Sequence, residues 1–147
     1  MRVVRIVRRP VERMLSAYLN GKHLMRAHGY TFPRNVSFAT VVSTITALPD
    51  HAVNPHVRRQ GAMCAVPPGR VEMRVLRLED YQIWRPWLMA AFNWTTLPVA
   101  VRAPRTSADR VTTFYTREMV RRVEAWAAED MRRFGYAPWT PAAHARA

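Results

Sequence analysis

Val3-Val4-Arg5-Ile6-Val7 leads directly into Arg8-Arg9-Pro10-Val11-Glu12-Arg13-Met14-Leu15-Ser16-Ala17-Tyr18. The first five residues are mostly β-branched and almost continuously apolar, the pattern of a short buried strand. Pro10 suits the first turn of a helix, where its missing N–H costs nothing. Val11, Met14, Leu15 and Tyr18 then recur on one helical face, while Glu12, Arg13 and Ser16 lie off it. The stretch predicts a strand, a tight turn and a helix that Gly21 ends. Arginines gather at the junction. Helix N-terminal N–H groups point outward there, and a guanidinium fork matches phosphate oxygens, so the junction suits an anion. Ser16, off the apolar face, has a hydroxyl available to a group arriving at the turn.

The chain has 147 residues, of which 49% are hydrophobic. That is enough for one globular domain with a real core and excludes a disordered chain. We expect one domain over residues 1–139 and a disordered tail over 140–147. The formal net charge is +13, and Lys22 is the only lysine. Arginine in place of lysine, with abundant alanine, is what a GC-rich bacterial genome encodes; a polyanion partner is the sharper explanation of the same charge. Cys64 is the only cysteine, so no internal disulfide can form and a reducing compartment fits. No apolar run reaches the roughly 20 residues of a membrane span, and the first residues lack a signal-peptide pattern. The expectation is a soluble cytoplasmic protein.

Residues 23–36, with His23 and His28, read as a loop. Ser37 caps a second helix, 38–48, with Phe38, Val41, Val42, Ile45 and Leu48 at helical spacing, although the β-branched run Thr40-Val41-Val42 also permits a strand. Prolines break up 49–70, which holds His51, Asn54-Pro55-His56 and Gln60. Residues 71–79 alternate as a second strand, with Val71, Met73 and Val75 on one side and Leu76 and Leu78 on the other. Residues 81–94 form an apolar helix interrupted by Pro86, with Trp84, Trp87, Leu88, Ala91 and Phe92 on one face. Its polar side carries only Arg85, so core packing is favoured over a membrane surface. Residues 95–115 read as a long connection, of a size that is unusual unless functional or flexible. Thr116 starts the clearest helix, which runs to about Arg133 with Glu118/Arg122 and Glu129/Arg133 as i,i+4 pairs. Asp130 falls on its apolar stripe, where a carboxylate needs hydrogen bonds, and reads as structural.

Arg8-x-Pro10-x-x-Arg13-x-x-Ser16-x-Tyr18 resembles the 3′-phosphate-binding segment of the sulfotransferases that use 3′-phosphoadenosine-5′-phosphosulfate, closest to the carbohydrate sulfotransferases of the family-2 type. Ser37-Phe38 is similar to the segment that follows in that family. Asn54-Pro55-His56 with Gln60 and Cys64, and Tyr115 to Asp130 and Phe134-Gly135-Tyr136, resemble two later segments, in the same order. Arg59 departs from the family by standing where proline is frequent. The resemblance implies an α/β, P-loop-like fold with a parallel sheet flanked by helices. It implies that Arg8 and Ser16 grip the 3′-phosphate of the nucleotide. It also implies a separate loop for the 5′-phosphosulfate, after an earlier strand. Arg8 lies only seven residues from Met1. The expectation is therefore a chain lacking that N-terminal strand and loop, through a late start, a gene fragment or a homologue that only binds. Lid or acceptor loops of that family occupy positions such as 95–115, which implies an acceptor-side segment here.

The implied reaction moves a sulfuryl group to a hydroxyl of a carbohydrate-like acceptor. It needs positioning, cationic stabilisation and a base for the acceptor proton. Imidazole changes charge near neutral pH, which makes His56 the candidate base, ahead of His51, His23 and Glu79. No histidine pair has metal-ligand spacing with Cys64 or a carboxylate, and no metal is expected. The alternative is a non-catalytic basic module that binds nucleic acid or another polyanion. Its arginines are dispersed, and no zinc or aromatic-basic recognition pattern supports it.

Overall fold

In the computed structural model, residues 2–20, 32–33, 35–63, 72–96 and 108–140 are described. The protein is α/β. Two strands, β1 (Arg2–Val7) and β2 (Glu72–Arg77), form a parallel pair. The described helices are α1 (Pro10–Asn20), α2 (Phe38–Ala47), α3 (Tyr81–Ala91), α4 (Ala108–Phe114), α5 (Arg117–Trp126) and α6 (Ala128–Phe134). The chain divides into two compact units. One combines Met1–Arg8 with Val66–Arg105, and the other combines Arg9–Ala65 with Thr106–Ala147.

In the strand unit, Val4 pairs with Arg74 and Ile6 with Leu76 in register. A parallel pair needs a long crossover, and the crossover here is the whole of 8–71. Leu76, Trp84 and Leu88 form a buried cluster, with Val4, Leu78, Tyr81 and Trp87 packed on it. The Trp84 indole donates to the Arg77 carbonyl at 2.6 Å, and the Arg74 guanidinium sits 3.8 Å over the Trp87 ring. Only one side of the alternation in β2 is deeply buried: Leu76 is, whereas Val75 is exposed. Helix α3 runs on through Pro86. Its apolar face is buried at Trp84 and Leu88 only, because the predicted continuation through Ala91 and Phe92 is exposed. Past the helix, Asn93 adopts a positive φ of 54°, a conformation asparagine tolerates better than most residues, and Phe92 stacks on Trp94.

The helical unit holds the main core. Val11, Met14 and Leu15 of α1 meet Val41, Val42 and Ile45 of α2 and Val120 and Val123 of α5, with Val53, Val57 and Val111 between them. Phe38 is its aromatic centre, 5.0 Å from Tyr18 and 4.7 Å edge-on from Tyr115. Three expectations change here. Glu12, placed off the apolar face of α1, is buried. Residues 108–114, read as part of a loop, are helix α4. The single helix expected from Thr116 to Arg133 breaks at Ala127 into α5 and α6. Within α6, Glu129 pairs with Arg132, one residue short of the expected Arg133. Gly21, Cys64, most of the 23–36 loop, the 97–107 connection and the tail from 141 lie outside the described residues.

Candidate functional site

Helix α1 begins at Pro10, and its first turn closes with the Arg13 N–H on the Arg9 carbonyl at 2.9 Å. Arg9 and Arg13 of that turn both serve the protein's own backbone. Arg9 donates to the Ala137 carbonyl at 2.7 Å, and its guanidinium lies 5.4 Å from the Tyr136 ring centre and 4.0 Å from the Glu12 carboxylate. Arg13 donates from both terminal nitrogens, to the Pro55 carbonyl at 2.7 Å and to the Arg58 carbonyl at 2.5 Å. A lysine could not span two carbonyls in this way, because only a guanidinium holds a planar fork.

Arg8 is half-buried at the end of the strand unit, and Ser16 is half-buried on α1 of the helical unit. Each is described within its own unit. Ser16 stands one turn after Arg13, and its hydroxyl accepts a long 3.4 Å contact from the Asn20 amide. A hydroxyl that accepts in this way can still donate its own proton to another acceptor.

His56 sits in the loop that Arg13 holds. The Asn54 side chain accepts the His56 backbone N–H at 2.9 Å, while the Asn54 carbonyl accepts from Val57 and Arg58. This is an Asx-type turn, for which Asn followed by Pro is well suited. Val53 and Val57 are buried beneath it, so the turn is anchored from below and His56 is exposed at its tip. Arg58 donates to the Val53 carbonyl at 3.1 Å. Arg59 forms a two-point pair with Asp50, with contacts of 2.7 to 3.0 Å, and that hydrogen bond holds its guanidinium pKa above the ordinary value. Arg59 is thus held in a fixed ion pair.

Asp130 closes the loop at its other end. Its carboxylate is 2% exposed and accepts the Gln60 N–H at 2.5 Å and the Gly61 N–H at 2.6 Å. A buried carboxylate is tolerable when its lone pairs are satisfied in this way. The approach demands glycine at 61, because an added Cβ would lie 2.9 Å from the Asp130 Oδ1 atom. The structural role read for Asp130 therefore has named partners. The sequence did not reveal those partners, or the fork of Arg13, because both lie tens of residues away along the chain.

Of the other candidate bases, His51 is exposed on the turn preceding Val53. Glu79 is exposed in the strand unit, and His23 lies outside the described residues. Among the described residues, no three His, Cys, Asp or Glu side chains come together as a metal site. No described helix is long and apolar enough to cross a membrane. A groove of about 420 Å³ opens between the starts of α2 and α5, where Thr40, Ser43, Thr116, Glu118 and Arg122 offer hydroxyl and charged groups. Compared with protein-family models, with curated proteins and with solved structures, the chain matches none.

Proposed function

We propose that this chain is part of a sulfotransferase that uses 3′-phosphoadenosine-5′-phosphosulfate and modifies a hydroxyl of a carbohydrate-like acceptor. Arg8 and Ser16 bind the 3′-phosphate of the nucleotide, and His56 accepts the acceptor proton. As the acceptor oxygen bonds to sulfur, the bond from sulfur to the donor's 5′-phosphate oxygen breaks. The products are a sulfate ester and 3′,5′-adenosine bisphosphate. The finer fold assignment, a P-loop-like sulfotransferase sheet, is part of the same proposal.

One observation supports it most. Three segments that resemble the family in order are tied to each other by side chain–backbone bonds in one unit. Arg13 reaches Pro55 and Arg58, Asp130 takes Gln60 and Gly61, and the Tyr115 hydroxyl donates to the Val11 carbonyl at 2.8 Å.

Calorimetric titration tests the proposal. At physiological ionic strength, 3′,5′-adenosine bisphosphate should bind at least about tenfold more tightly than 5′-AMP, a difference of about 1.4 kcal/mol. Equal affinity for the two would contradict it. A general polyanion module would instead favour long nucleic acids, with an affinity that falls steeply as salt rises.

A further inference from the structure

We propose that Arg13 and Asp130 are positioning residues for His56, and that Arg13 couples the nucleotide-binding helix to it. The proposal rests on the assignment of His56 as the base and of Ser16 as a nucleotide contact. The loop from Val53 to Gly61 is held around His56 and at its end by charged side chains from other elements. Arg13 of α1 forks onto the carbonyls of Pro55 and Arg58, which flank His56 on either side. Asp130 of α6 takes the two N–H groups that end the loop. Charge-assisted bonds of this kind are stronger than neutral ones, and the Asp130 bonds are buried.

The imidazole itself is exposed, and the only contact described for His56 is through its backbone N–H. Its position is therefore set by the loop backbone. That backbone is referenced to α1 through Arg13, which lies one turn before Ser16. A shift of α1 on capturing a 3′-phosphate is transmitted to the Pro55 and Arg58 carbonyls, and so to His56. Arg13 thus lies in the phosphate-binding motif yet acts on the base loop.

The test uses the full chain and NMR of its histidine rings and amides, with His51 as the internal reference. In the wild type, the His56 ring should be ordered and should shift on addition of 3′,5′-adenosine bisphosphate. Arg13→Lys keeps the charge but loses the fork. Asp130→Asn keeps the shape but places an amide against one N–H. Both should raise hydrogen exchange of the Arg58, Gln60 and Gly61 amides at least tenfold and mobilise the His56 ring, with His51 unchanged. In Arg13→Lys the nucleotide should still bind, with the His56 response lost. Gly61→Ala leaves both clamping residues intact and pushes the loop from Asp130, so it should mobilise the His56 ring as well. An ordered and nucleotide-responsive His56 ring in all three variants would overturn the proposal. If the wild type binds no 3′,5′-adenosine bisphosphate, the sulfotransferase assignment and the coupling both fall, while ring mobility in the variants still decides the positioning.

Discussion

Tyr115 shows how a single buried hydroxyl fixes two helices. It donates to the Val11 carbonyl of α1, and burial pushes its pKa well above the ordinary tyrosine value of about 10. The native state therefore keeps this proton at pH values where the unfolded chain loses it. Stability from this group is fully present below about pH 10 and falls as pH rises beyond it. Tyr115→Phe should cost about 1 kcal/mol at neutral pH. Above about pH 10, the gap between wild type and variant should close by up to about 1.4 kcal/mol per pH unit, as measured by urea unfolding at several pH values. The sequence marked Tyr115 only as part of a pattern. Its partner lies 104 residues away, beyond the reach of any local signal. Glu12 was misplaced for a related reason. Helical spacing put it off the apolar face, but it is buried, with its carboxylate 4.0 Å from the Arg9 guanidinium.

Among the elements, those with local chemistry were legible. Ser37 caps α2 by accepting the Thr40 N–H at 3.1 Å, and Thr116 caps α5 by accepting the Met119 N–H at 3.2 Å. Pro10 opens α1 as expected, whereas the end of α6 at Gly135, with a φ of 65° that glycine adopts without strain, was not read from the sequence. Ser37→Ala and Thr116→Ala should each lower stability by about 1 kcal/mol, and thermal unfolding of each variant checks this. The break between α5 and α6 was not legible. Ala127 is a strong helix former and carries no breaker signal, so local propensity favours one continuous helix. What distinguishes α6 is tertiary: Asp130 is tied to residues 60 and 61. Helix α4 was hidden because its seven residues, Ala-Asp-Arg-Val-Thr-Thr-Phe, are too few to establish a period and include weak helix formers. Its buried residue is Val111.

At the scale of the whole molecule, the charge of +13 is distributed along the chain, and four arginines of the helical unit are engaged locally. Arg9, Arg13 and Arg58 donate to backbone carbonyls, and Arg59 pairs with Asp50. Arg13, Arg58 and Arg59 thus serve as internal scaffolding around the loop that carries His56. A strand followed by a helix at the start of the chain, and a second strand within 71–79, match what those stretches predicted. The first strand is not the buried one expected, because Ile6 is exposed, and the parallel pairing of β1 with β2 was implied only by the resemblance. The assignment of Arg8 and Ser16 came from their pattern alone, and binding decides it. The most direct measurement is calorimetric titration of the wild type, Arg8→Ala and Ser16→Ala with 3′,5′-adenosine bisphosphate, using 5′-AMP as the reference. A 3′-phosphate clamp predicts that each substitution weakens the bisphosphate at least about tenfold, as expected for a charge-assisted contact, and leaves 5′-AMP within about twofold. Unchanged bisphosphate affinity in both variants, or an equal loss for the two nucleotides, would contradict it.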